Sequence, residues 1–168
     1  MSNFVTTFEQ GQQGKNLGLS TGIDQIDEAI NGLQKKQSIC VAASPKCGKT
    51  TFTDFAFVLS PYLQMEALGK LDDIEWIYFS YEIDRVTKEF AFAAFFFYHD
   101  YGIESFEHNG NTYNMTKDYL MGRVKDIVTK EIIKVSDKHT EIIKEIYRKR
   151  IIPIFGKFDE YGRQLEKG

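Results

Sequence analysis

The chain has 168 residues, 42% of them hydrophobic and 14% aromatic, which is one domain's worth of sequence with enough apolar content for a core and excludes wholesale disorder. A net charge of −3 does not by itself mark a nucleic-acid binder. The two cysteines, Cys40 and Cys47, form no CxxC or Cys/His cluster, so neither a disulfide framework nor a zinc site is indicated, and the reducing cytoplasm is the expected location.

The charge is unevenly spread. Residues 51–115 hold three basic and eleven acidic side chains, and residues 116–150 hold ten basic and six acidic ones. Solvated helix faces explain such an asymmetry, and a basic face for a polyanion is the functional alternative. The longest apolar run, Phe90 to Tyr98, is too short to span a bilayer, so no membrane contact is expected.

Residues 1–18 are polar and punctuated by Gly11, Gly14 and Gly18, which predicts a flexible arm or linker ahead of a domain over 19–168. Ile23, Ile26 and Ile30 then share one helical face, with Ser20 or Thr21 as cap and Asn31-Gly32 as stop. Ser38 to Ala43 is a short apolar run that predicts a buried, parallel strand. A helix follows from about Lys49 to Leu59 and stops near Pro61.

Glu75 to Tyr81 predicts a second strand, and Arg85 to Tyr101 a mostly buried, aromatic-rich helix. Asn109-Gly110, between Phe106 and Tyr113, predicts a two-residue β-hairpin. Residues 117–130 and 137–150 read as two helices, the second capped by Ser136. Ile151 to Phe155 is a third strand candidate despite Pro153. Strands alternating with helices predict an α/β fold with a mostly parallel sheet.

The most informative residues are Ala43-Ser44-Pro45-Lys46-Cys47-Gly48-Lys49-Thr50, followed by Thr51. They fit the Walker A pattern A/G-x-x-x-x-G-K-S/T. A loop between strand and helix can turn successive backbone N–H groups toward a phosphate, and the helix N-terminus adds partial positive charge. Gly48 permits close backbone approach, the Lys49 ammonium can reach the β- and γ-phosphates, and the Thr50 hydroxyl can join the shell of Mg²⁺. Chance alone produces the pattern in roughly one chain per hundred of this length, so ATP with Mg²⁺ is the expected ligand.

Glu82 directly follows the second strand candidate. At the carboxyl end of a parallel strand a carboxylate can activate the water that attacks a γ-phosphate; the other reading is a surface acid near the start of the next helix. The five phenylalanines between Phe90 and Phe97 read as core rather than as a base-stacking platform. Tyr147-Arg148-Lys149-Arg150 reads as cations at a helix C-terminus, with phosphate binding as the alternative.

Taken together, Gly18-Leu19-Ser20-Thr21-Gly22-Ile23-Asp24-Gln25-Ile26-Asp27, Gly32-Leu33-Gln34, the ASPKCGKTT loop and Tyr78-Phe79-Ser80-Tyr81-Glu82-Ile83 resemble the RecA-like motor domain of DnaB-type replicative helicases. The likeness covers residues 18 to about 90. It implies a three-layer RecA-like P-loop NTPase fold, here incomplete, with the 103–115 hairpin as an insertion. It also implies ATP hydrolysis with Glu82 as catalytic base and Lys49 on the phosphates, single-stranded DNA as partner, and a homo-oligomeric ring or filament. The family's Walker B aspartate lies on a later strand, where only Asp159-Glu160 offer a counterpart. A nucleotide-binding switch or assembly factor without turnover, and a small P-loop kinase, are the competing readings.

Overall fold

The computed structural model describes residues 3–13, 16–78 and 83–155. It divides into two compact units, residues 1–77 and residues 78–168.

In the first unit, the stretch expected as a flexible arm contains a helix, α1 (Asn3–Gln12), which exposes Phe4 and Phe8. Helix α2 (Asp24–Ile30) ends, as its sequence predicts, on left-handed Asn31 and Gly32. Its start differs from expectation. Ile23 occupies the N-cap without a side-chain cap bond, and Ser20 and Thr21 are engaged elsewhere, as described below.

The predicted strand Ser38–Ala43 is not formed. Val41 is half-buried and the rest of the run is exposed. A buried strand needs neighbours that pair its N–H and C=O groups, and this run has none among the described residues.

Helix α3 (Lys49–Asp54) passes into a π-helical turn, Phe55–Leu59, and then into α4 (Ser60–Ala67). The helix therefore runs past Pro61, where a stop was expected. Proline lacks the N–H that would serve the carbonyl four residues earlier, Phe57. The Trp76 indole N–H donates to that carbonyl instead, at 3.0 Å. Ala56, Val58, Leu59, Tyr62 and Met65 form the core of this unit, and a short 3₁₀ turn, Leu71–Asp73, follows.

The second unit is built on α5 (Arg85–Tyr101), capped by the Asp84 carboxylate, which accepts from the Thr87 amide at 2.9 Å and the Thr87 hydroxyl at 2.7 Å. Phe92, Phe96 and Phe97 are buried, in agreement with the core reading of the aromatic run. Burying each such ring is worth about 1.5–3 kcal/mol.

The predicted hairpin is present: β1 (Ser105–His108) pairs antiparallel with β2 (Asn111–Asn114), and His108 faces Asn111 across a two-residue turn. Asn109 and Gly110 both have positive φ, 49° and 77°, as a type I′ turn demands.

The helix expected over 117–130 is reduced to α6 (Lys117–Leu120), capped by Thr116. A left-handed Gly122 follows, and the chain then forms a loop closed by the Lys125–Ile132 bridge. The buried Asp126 carboxylate organises that loop by accepting from the amides of Val128 at 2.7 Å and Thr129 at 2.8 Å, which an uninterrupted helix would direct to carbonyls.

Helix α7 (Asp137–Ile146) starts on the predicted cap, Ser136, and continues through a π-helical turn, Tyr147–Ile151, into α8 (Ile152–Phe155). The third predicted strand, Ile151–Phe155, is therefore helical. Ile151 is buried, the Phe155 ring lies 5.1 Å from Phe92, and the Phe155 carbonyl accepts from Arg85 at 2.9 Å. The predicted mostly parallel sheet is accordingly not seen: the described residues form helices and one two-stranded antiparallel sheet.

Candidate functional site

The phosphate-loop motif lies between the open segment 34–42 and the long helix that begins at Lys49. Ala43 through Lys49 are exposed, Thr50 is half-buried and Thr51 exposed. Pro45 and Lys46 form a turn, and Lys46 and Gly48 adopt the left-handed conformation, with φ of 61° and 86°. At Gly48 any side chain would be strained, although a Cβ would meet nothing within 4 Å. The space above this glycine is open to a ligand.

The Gly48 carbonyl accepts from the Phe52 amide at 2.9 Å and so starts the helix. Among the described residues, the amides of Ser44, Lys46, Gly48, Lys49, Thr50 and Thr51 donate to no protein acceptor. Nor does any described group bond the Lys49 ammonium or the Thr50 hydroxyl. The segment thus offers amides, an ammonium and a hydroxyl at a helix start, a set that fits an oxyanion with an associated hard cation.

Glu82 lies outside the described residues, as do Asp159 and Glu160. The helical course of Ile151–Phe155 removes the strand that was to carry those last two acids. In the Tyr147–Arg150 run, Lys149 pairs with Glu145 at 2.6 Å, and Arg150 grips Asp100 through two nitrogens at 2.8 and 3.0 Å. Arg150 also lies over the Phe96 ring, 5.2 Å from its centroid.

Sequence reasoning missed what the glycine-rich lead-in does. Asp27 accepts from the Ser20 hydroxyl at 2.5 Å, the Thr21 amide at 2.8 Å and the Thr21 hydroxyl at 2.7 Å. Burial raises its pKa, but these hydrogen bonds outweigh that and hold the carboxyl below the usual range. The Ser20 amide donates to Gln64 at 3.1 Å, and the Ser20 carbonyl accepts from the Ser60 hydroxyl at 3.0 Å. Leu19 and Leu33 pair across a bridge so close that a Cβ on Gly18 would lie 2.3 Å from the Leu33 carbonyl oxygen. The lead-in therefore ties α2 to α4, the continuation of the helix that the phosphate loop starts. The spacing of Ser20-Thr21 from Asp27 was the available signal, six to seven residues that only a folded-back chain brings together.

The family model described as DnaB-like helicase C terminal domain matches residues 18–89. A curated relative, the replicative DNA helicase DnaB of Leifsonia xyli subsp. xyli (strain CTCB07), is 37% identical over 75 residues. That alignment covers 44% of this chain, which spans only 14% of the relative's length. No solved structure matches. No helix among the described residues is long and apolar enough to cross a membrane. The similarity to the DnaB-like helicase C terminal domain is carried by residues 18–89, the stretch that holds both the Thr21–Asp27 cluster and the phosphate-loop motif.

Proposed function

We propose that residues 43–51 bind the phosphates of Mg–ATP and that residues 18–89 are the leading part of a RecA-like, DnaB-type motor module within a domain over 19–168. The observation that carries this reading is the row of unpaired amides from Ser44 to Thr51 at the start of the helix that opens with Lys49-Thr50. In this reading the amides surround the β- and γ-phosphates, Lys49 neutralises their charge, and the Thr50 hydroxyl joins the Mg²⁺ shell. Bound there, Mg²⁺ would supply neutralisation of the phosphate charge. Glu82, from its match to the family pattern, is the base that activates water. Single-stranded DNA is the partner and a homo-oligomeric ring or filament the working form, both carried over from the family.

One observation favours a second reading, nucleotide binding without turnover by this chain. The helical Ile151–Phe155 does not provide a strand end for an Mg²⁺-positioning acid at Asp159 or Glu160. Phosphate release measured with and without single-stranded DNA separates the two. Stimulated release supports the motor; nucleotide binding with no release supports the switch.

A further inference from the structure

Residues 123–134 lie outside the matched stretch and hold four basic side chains and two acidic ones. The bridge between Lys125 and Ile132 folds them into a two-stranded ribbon. The Asp126 amide donates to the Glu131 carbonyl at 2.8 Å, and the Ile133 amide donates to the Val124 carbonyl at 2.9 Å. These bonds fix an antiparallel register that sets Arg123 opposite Lys134 and Asp126 opposite Glu131.

Alternation along each strand sorts the side chains by face. Asp126 and Ile133 turn inward, each 1% exposed, and Val124 beside them is half-buried. Arg123, Lys125, Ile132 and Lys134 share the outer face, and all four are exposed. Glu131, the exposed carboxylate of the ribbon, is in register with Asp126 and so lies off that face.

The outer face is electrostatically incomplete. Like charges directly opposite one another across a strand pair repel. Arg123 and Lys134 are so placed, with Lys125 two residues along, and none of the three side chains forms an ion pair or hydrogen bond among the described residues. Cations further on are matched with acids: Lys144 pairs with Glu141, Lys149 with Glu145 and Arg150 with Asp100.

The tip of the ribbon is held firmly and is apolar. Besides the two amides that bond Asp126, the Ile127 amide donates to the Tyr113 hydroxyl at 3.0 Å, and the Lys130 ammonium donates to the Ile127 carbonyl at 2.6 Å. Yet Ile127, Val128 and Ile132 are 60%, 72% and 56% exposed. Three branched apolar side chains on an ordered loop forgo burial until a partner covers them.

We propose that this ribbon binds single-stranded nucleic acid, with Arg123, Lys125 and Lys134 on successive phosphodiesters and Ile127, Val128 and Ile132 against bases. Side chains two residues apart on a strand stand about 7 Å apart, which suits the phosphates of an extended single strand. A duplex keeps its bases paired inside and offers the apolar tip no partner. The inference rests on the single-stranded DNA partner of the proposed function and assigns that partner a surface outside the matched stretch.

The test is fluorescence anisotropy of a labelled oligodeoxythymidine titrated with the full chain, without nucleotide and over a range of salt. Saturable binding is expected, with a dissociation constant on the order of 10⁻⁵ M. Joint replacement Lys125→Ala and Lys134→Ala, at exposed positions, should weaken it by about tenfold or more. The log–log salt slope should become shallower by about 1.4, the loss of two phosphate contacts. Val128→Ser should weaken binding about threefold with the slope unchanged. Equal affinity and slope in the double alanine variant would overturn the ribbon site while leaving single-stranded DNA as a partner elsewhere on the chain. A wild type that binds no oligonucleotide would remove the partner itself, and binding to phosphatidylserine vesicles alone would overturn the proposal in favour of a membrane surface.

Discussion

The indole of Trp76 donates to the carbonyl of Phe57 at 3.0 Å, the carbonyl that Pro61 cannot serve from four residues on. A single side chain thus lets the helix from Lys49 continue to Ala67 through a proline. Trp76→Phe keeps much of the apolar contact but leaves that carbonyl without its donor. It should destabilise the first unit by about 1–3 kcal/mol. Urea unfolding followed by far-ultraviolet circular dichroism checks this; an unchanged midpoint would show the bond to be dispensable.

Asp27→Asn tests the lead-in cluster. Thr21 is fully buried, and its amide and hydroxyl lose one charged acceptor. A stability loss of about 1–3 kcal/mol is expected at neutral pH. The pH dependence has a definite sign. The folded pKa of Asp27 lies below its ordinary value, so its contribution is complete above pH ~4 and is lost as pH falls through the folded pKa. The gap between wild type and Asp27→Asn should therefore narrow in acid, and a gap constant with pH would contradict the assignment.

Asp126→Asn probes the loop closed by the Lys125–Ile132 bridge and its bond to the hairpin turn. Asp126 accepts from two loop amides, and its second oxygen lies 3.3 Å from the Asn109 side chain and 3.4 Å from the Tyr113 hydroxyl. The amide replacement lacks the charge and one acceptor oxygen. Hydrogen exchange should speed up at Val128, Thr129 and the hairpin tip, with α5 unaffected. Uniform exchange rates across variant and wild type would show that the carboxylate is not the organiser.

His139 gives a second pH dependence, with the same direction but a different origin. Burial, reinforced by the Lys138 charge, holds its pKa below the ordinary histidine value. The unfolded chain then binds the proton more readily. Stability is fully present above pH ~6.5 and is lost as pH falls below that value. Thermal melting of the chain should occur at lower temperature at pH 5.5 than at 7.5, and the His139 ring should titrate below 6.5 by NMR. Titration at or above that value would contradict the burial argument.

The parts of the fold legible in the sequence are those set by local chemistry. Ser136 and the Asn109-Gly110 pair bond groups within three residues of themselves, so their cap and turn can be read directly. The strands could not be read this way, because Ser38–Ala43 needs partners distant in sequence to become a strand. Ile151–Phe155 has strand-forming residues, yet it extends α7 because Ile151 and Phe155 pack on α5. The segment Ala43–Thr51 was legible as a sequence motif, whereas the pairing of Ser20-Thr21 with Asp27 was hidden by a fold-back of the chain.

Glu82→Gln addresses the proposed turnover step. The amide cannot accept the proton of the attacking water, so ATP should remain bound while phosphate release falls by about 10²-fold or more. Release at the wild-type rate would remove Glu82 from the mechanism.

The most direct measurement is titration of the folded wild-type chain and of Lys49→Ala with a fluorescent ATP analogue in the presence of Mg²⁺. Saturable binding by the wild type and its loss in the variant are expected, with circular dichroism spectra that superimpose. Equal affinity in the two proteins would contradict the claim that the amides and ammonium around position 49 hold a triphosphate.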